Sequence, residues 1–192
     1  MVIISKDKDF SIVYNKYIDD LYSYGISLGF GHDMTLDAIQ DIFYTIYARI
    51  NIHEIENMKY YLFRSLKNRL FDIYRSAKKE NSPDDLTDLP FYTEITVMDS
   101  IIEEEEMLSI QKKVEELLKL LTNRQREAVY LRYMQGFEYE KIGELLNMTG
   151  ESARKLVHRG IEKIRHLTGN TYFIYYFLAF HYSVETHIYT LK

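Results

Sequence analysis

Apolar residues recur at helical spacing through almost the whole of this chain. The first set is Phe10, Tyr14, Tyr17, Leu21, Tyr24 and Leu28, the second Leu36, Ile39, Phe43, Ile46 and Ile50, and the third Leu62, Leu66, Leu70 and Ile73. A fourth, Ile110, Val114, Leu117 and Leu121, follows after a gap. Steps of three and four place each set on one face of a helix with about 3.6 residues per turn. Breaks fall near Gly29 to Asp33 and near Asn51 to Asn57. Residues 1–169 contain no Val/Thr-rich alternating run and no internal repeat, so the fold class is all-α.

Both prolines, Pro83 and Pro90, sit in the stretch NSPDDLTDLP, which has turn-forming residues and no apolar stripe and reads as a linker. The chain of 192 residues is thereby expected to form two small helical domains joined by an acidic linker. Their bounds are 1–80 and 108–169, with the linker at 81–107 and an aromatic tail at 170–192. Domains this small bury limited cores and lean on good helix packing or on a larger partner. The net charge of −5 hides an alternation: residues 1–50 carry −3, 51–80 carry +3, 81–120 carry −8 and 121–169 carry +3. Two basic blocks around an acidic one suggest two nucleic-acid contacts joined by a connector that avoids phosphate; fluctuation of surface charge is the competing explanation.

Other function classes find little support. The chain has no cysteine, which removes disulfides and thiolate metal sites and fits a reducing compartment. It shows no Ser/His/Asp or Cys/His set, no glycine-rich phosphate loop and no paired-carboxylate pocket; His181 and His187 near Glu185 are a poor metal set. No cofactor or metal is expected. The opening segment is too short in apolar residues for a signal peptide. The run from Tyr172 to Tyr182 falls short of the roughly 18 to 20 residues that span a bilayer. The expectation is a soluble, cytoplasmic protein without membrane insertion.

The second half carries a recognisable supersecondary pattern. Thr122 with Gln125 three positions on forms a capping box for a helix running to about Met134, which Gln135-Gly136 closes. A short helix, Tyr139 to Leu146, precedes a tight turn at Asn147-Met148. Thr149 then caps a helix from Gly150 to about His166 with Ala153, Leu156, Val157, Ile161 and Ile164 facing inward. This is a helix-turn-helix pattern, whose second helix enters the major groove. Off its apolar stripe lie Ser152, Arg154, Lys155, His158, Arg159 and Lys163, side chains able to reach base edges or phosphate. A solvated charged helix is the alternative.

The segment Leu117 to Leu167 resembles region 4 of sigma-70 family factors, with its leucine-rich lead-in, REAVYLRY helix and a last helix ending HRGIEKIR. It departs at Gly160, where alanine is usual, and at Gly150 in a first helical turn. In the first half, DAIQDIFYTIY (Asp37 to Tyr47) resembles the family's region 2 helix that docks on the polymerase clamp helices. The resemblance places Asp37, Gln40 and Asp41 in its polar contact positions, although acidic residues there also suit a helix N-terminus. Next, YYLFRSLKNRLFDIYRSAKK resembles the helix that opens and reads the −10 element. Asn68, Asp72 and Arg75 match the family pattern, and Arg64, Lys67, Arg69, Lys78 and Lys79 add positive charge. Tyr60, Tyr61 and Phe63 are candidates to stack on unpaired bases, or, for at least one of them, to join the core. Two motifs in this order, over residues 10–79 and 108–168, point to the compact extracytoplasmic-function subfamily.

That resemblance implies a non-enzymatic initiation subunit which binds core RNA polymerase through the clamp helices of the largest subunit and the flap of the second largest. It implies recognition of the −35 element by the second domain, melting of −10 by the first, and often an anti-sigma partner. The alternative is a helix-turn-helix regulator that binds duplex DNA without polymerase. The tail segment YFIYYFLAF lies outside the resemblance, lacks the basic face of a membrane-surface helix, and is expected to pack on a domain or a partner.

Overall fold

A computed structural model describes residues 2–49, 52–78, 90–92 and 105–168. Every regular element among them is a helix, and the chain divides into two compact units. The aromatic tail and the His181/His187/Glu185 group lie outside the described residues.

The first unit is built from α1 (Val2–Ser27), α2 (His32–Arg49), a single 3-10 turn (Ile52–Glu54) and α3 (Met58–Lys78), each long helix packing on the other two. The periodic residues explain why. Leu21, Tyr24 and Leu28 from the first helix, Ile39, Phe43 and Ile46 from the second, and Leu62, Leu66 and Leu70 from the third are all buried. Aromatic rings extend this core toward the start of α1: Phe10 meets Phe43 edge-on at 5.7 Å and Tyr47 at 5.2 Å, and Tyr14 meets Phe43 at 4.9 Å. The chain leaves α1 through Gly29, whose φ of 89° lies in the left-handed region open to glycine. The second helix starts at His32, four residues before its apolar stripe begins at Leu36.

The second unit holds α4 (Glu105–Lys119), α5 (Asn123–Tyr133), α6 (Tyr139–Leu145) and α7 (Gly150–Thr168). The capping box at Thr122 forms in both directions: the Thr122 hydroxyl accepts from the Gln125 amide N–H, and the Gln125 side chain accepts from the Thr122 N–H at 3.2 Å. After α5 the chain turns through Gly136, with φ of 70°, and Phe137 N–H returns to the Leu131 carbonyl at 3.0 Å. Both α5 and α6 pack against α7. Ala153, Val157 and Ile164 face inward from α7, whereas Leu156 and Ile161, also expected inside, are only half-buried.

The turn between α6 and α7 explains two glycines. A Cβ on Gly143 would lie 2.7 Å from the Met148 carbonyl oxygen and 2.9 Å from the Gly150 amide nitrogen. A Cβ on Gly150 would lie 3.1 Å from the Cα of Glu140. The helices approach backbone to backbone here, so the propensity lost at Gly150 is the condition of a tight crossing.

One piece of the expected linker is structured. Phe91 is 2% exposed, and its ring lies 5.5 Å from that of Tyr130 on α5. Arg126 ties the same place together, donating to the carbonyls of Phe91, of Leu118 at 2.9 Å and of Leu121 at 3.0 Å. Burial lowers the pKa of this guanidinium, and the carbonyl oxygens around it supply the acceptors that a desolvated cation requires.

Candidate nucleic-acid interface

The last helix presents its polar side chains as a continuous stripe. Thr149 caps it, accepting from the Ser152 amide N–H at 3.2 Å, and its hydroxyl donates to Ser152 Oγ at 2.9 Å. Glu151, Ser152, Arg154, Lys155, His158, Arg159 and Lys163 are exposed. Steps of three and four align Glu151, Arg154, Lys155, His158 and Arg159, and these five line one shallow depression.

Ion pairs sort these cations. Lys155 meets Glu151 at 2.7 Å, His158 lies 3.8 Å from Glu162, and Arg165 pairs with the same Glu162. Among the described residues, Arg154, Arg159 and Lys163 have neither an ion pair nor a hydrogen-bond partner. Arg124 and Arg132, basic residues of α5, are instead occupied within the fold. Arg124 donates to the Leu146 carbonyl at 2.8 Å; Arg132 donates to the Phe137 carbonyl at 2.9 Å, meets Glu138 at 3.2 Å and lies over the Tyr139 ring.

On α2 the expected contact residues Asp37, Gln40 and Asp41 are all exposed on the face opposite Ile39, Ile42, Phe43 and Ile46. Tyr44 continues this face and is 69% exposed, a large apolar neighbour that attention to polar residues alone passes over. Asp41 is not isolated: Arg69 on α3 donates to its Oδ2 through Nε at 3.0 Å and through a terminal nitrogen at 2.6 Å. A residue expected to touch polymerase and one expected to touch DNA are thus joined.

Arg64, Asn68, Arg69, Asp72 and Arg75 are exposed on α3, with Arg75 donating to Asp72 at 3.0 Å. Lys67 is instead largely buried, with its ammonium 5.5 Å from the Phe71 ring centre. Two of the three stacking candidates are corrected: Phe63 is fully buried against Tyr24, 4.9 Å between ring centres, and Tyr60 is only 8% exposed. Both complete the apolar face of α3. The Tyr60 hydroxyl accepts from Arg64 at 3.4 Å, and Tyr61 is half-buried. Lys78 ends the helix with its side chain outside the described residues, as is the whole of Lys79. No group of His, Cys, Asp and Glu suited to a metal occurs among the described residues, and no helix among them is long and apolar enough to cross a membrane.

These features define a helix-turn-helix unit and a separate helical unit that carries an exposed polar face on α2 and exposed basic residues on α3. Comparison with known proteins makes the class specific. Residues 117–166 match the family model of sigma-70, region 4. The chain is 23% identical over 156 residues to the ECF RNA polymerase sigma factor SigM of Bacillus subtilis (strain 168), covering 81% of this chain and 92% of SigM. It is 26% identical over 173 residues to SigW of the same organism, covering 86% and 85% of the two chains. Over 61 residues it is 38% identical to RNA polymerase sigma factor CarQ of Myxococcus xanthus, 32% of this chain and 35% of CarQ. The fold resembles that of the sigma factor RpoE, solved in complex with the anti-sigma factor NepR from Bartonella quintana. That likeness has a TM-score of 0.55 and 22% identity, over 85% of this chain and 99% of RpoE. Residues 117–166 thus carry the sigma-70 region 4 pattern, and over most of its length the chain is similar to extracytoplasmic-function sigma factors.

Proposed function

We propose that this protein acts in the cytoplasm as a non-catalytic initiation subunit. It binds core RNA polymerase through Asp37, Gln40 and Asp41 on α2, through contacts to the clamp helices of the largest subunit and, from the second unit, to the flap of the second largest. The −35 element is read by α7 through Ser152, Arg154, Lys155, His158, Arg159 and Lys163. The −10 element is opened and read along α3, where Arg64, Asn68, Arg69, Asp72 and Arg75 are exposed, Tyr61 is half-buried and Lys78 and Lys79 extend the basic run in sequence. An anti-sigma protein is a further partner. The observation that carries the reading is the exposed stripe on α7, in which Arg154 and Arg159 stand in the N-terminal half of the second helix of a helix-turn-helix.

Run-off transcription tests it. Core polymerase with this protein should initiate at a discrete set of promoters from a genomic library, while the isolated chain binds duplex DNA weakly. Strong sequence-specific binding without polymerase, and no initiation with it, would instead identify an independent regulator.

A further inference from the structure

Phe91 sits in a built seat on the second unit. Its ring lies 5.5 Å from that of Tyr130, only 2% of it is exposed, and its carbonyl accepts from Arg126. Tyr130 is equally buried, and its hydroxyl accepts from the Gln135 side chain at 3.1 Å, so the ring that receives Phe91 turns away only by losing a buried hydrogen bond. Arg126 also holds the carbonyls of Leu118 and Leu121, which joins Phe91 to the end of α4. Pro90 and Tyr92 on either side are exposed, so Phe91 alone of these three is the anchor. The seat is on α5, the helix that packs against α7.

This seat changes how much chain is free between α3 and the second unit. From Lys78, the end of α3, to Phe91 is thirteen positions; to Glu105, the start of α4, it is twenty-seven. At about 3.5 Å per residue those lengths reach no further than about 45 Å and about 95 Å. Elements centred at −10 and −35 lie about 25 base pairs apart, or about 85 Å along the duplex at about 3.4 Å per base pair. The exposed basic residues of α3 begin at Arg64, about 20 Å before Lys78 along the helix. A connector fastened only at Glu105 has slack at that separation. One fastened at Phe91 must use nearly all of its length, with the bodies of the helical units making up the rest.

We propose that Phe91 is a positioning residue for promoter architecture: by fastening the connector to α5 it caps the spacing between the −10 and −35 elements that this factor accepts. This rests on α3 and α7 being the surfaces that engage the two elements. Two sites joined by a tether engage together with an effective concentration that falls toward zero once the tether cannot span them. Each added base pair lengthens the span by about 3.4 Å, so a tether near full extension gives a sharp loss on the long side of the optimum and a shallower one on the short side.

The test is initiation by the reconstituted holoenzyme on promoters whose spacer is varied one base pair at a time. Two insertions of about six Gly/Ser residues are compared, each adding about 20 Å of chain. The first lies ahead of the anchor, between Asn81 and Ser82, and the second beyond it, between Asp99 and Ser100. The first should restore on the order of tenfold of the activity lost on spacers about two to three base pairs too long, because it lengthens the tether. The second should leave the spacer profile of the wild type unchanged, since that segment lies outside the tether. In a Phe91→Ala background the second insertion should come to act as the first does. The two insertions leave the seat intact, so they decide the matter even where Phe91→Ala unfolds. Equal effects of both insertions with Phe91 present would mean that the anchor is not seated in the working complex. No effect of either would mean that chain length does not limit spacing, and each of these results overturns the role given to Phe91. Absence of initiation by the wild type at every promoter would instead overturn the reading of the chain as an initiation subunit.

Discussion

At the scale of single residues, tolerance is set by what a new atom would meet. The three nearest contacts awaiting a Cβ on Gly143 are backbone atoms of the turn into α7, and none can swing aside as a side chain would. Gly143→Ala should therefore destabilise the second unit by about 1–3 kcal/mol, the usual range for forcing an atom into a packed site. Urea unfolding of the variant, compared at constant m, measures it. Asp19 on α1 illustrates a different cost. Half-burial, and secondarily the charge of Asp20, raise its pKa above the ordinary 3.8, so the folded state holds the Asp19 proton more tightly than the unfolded chain does. An acid raised in this way contributes no penalty while protonated in both states. Stability is lost as pH rises from the unfolded value through the folded one. Asp19→Asn should accordingly raise Tm at pH 7, with the gain shrinking as pH falls toward about 4, near the unperturbed carboxyl value. A Tm difference independent of pH would show that the amide acts through packing or hydrogen bonding.

At the scale of elements, the helices were readable because their apolar stripes are long and their signals local. Thr122 and Gln125 announce the start of α5, and Gly29 and Gly136 mark turns whose φ values are positive. Side-chain pairing was less readable, since it depends on which helices become neighbours. Nothing in the sequence near Asp41 points to Arg69, 28 positions on, and nothing marks Tyr60 as core when Tyr61 beside it has the same chemistry. A one-residue step on a helix turns the side chain by about 100°, and that rotation separates a buried ring from a half-exposed one. The exposed polar face of α2 inherits both lessons. Asp37→Ala with Gln40→Ala should weaken affinity for core polymerase on the order of tenfold, about 1.4 kcal/mol, with Tm nearly unmoved because exposed polar groups seldom carry stability. Asp41→Ala should lose affinity too and also release Arg69, so the salt dependence of its promoter binding should differ from that of the double variant. Titration against labelled core polymerase distinguishes these cases, and unchanged affinity in all variants would leave the three residues as solvating groups of their helix.

At the scale of the whole molecule, the alternating charge along the chain is matched by function-bearing surfaces only where helices display it. From the basic stretch 51–80, Arg64, Arg69 and Arg75 are exposed on α3 while Lys67 is buried, and from the stretch 121–169 cations are exposed on α7 while Arg124, Arg126 and Arg132 are spent on the fold itself. Net charge alone could not make that division. Nor could linker composition reveal that Phe91 is an anchor: a lone aromatic beside a proline gives no periodicity, and its partners, Tyr130 and the Arg126 guanidinium, lie some 35 positions away. The second unit thus draws part of its core from the chain that leads into it. Phe91→Ala should destabilise that unit on the order of 3 kcal/mol, through the cavity left beside Tyr130 and the weakened hold on one acceptor of a half-buried guanidinium. Hydrogen exchange of the full-length protein gives the test its resolution. Protection should fall in α5, α6 and α7 and stay unchanged in α1, α2 and α3, because the anchor belongs to one compact unit. Equal loss in both units would mean that they unfold as a single cooperative body, and no loss in either would mean that Phe91 rests on a surface already complete without it.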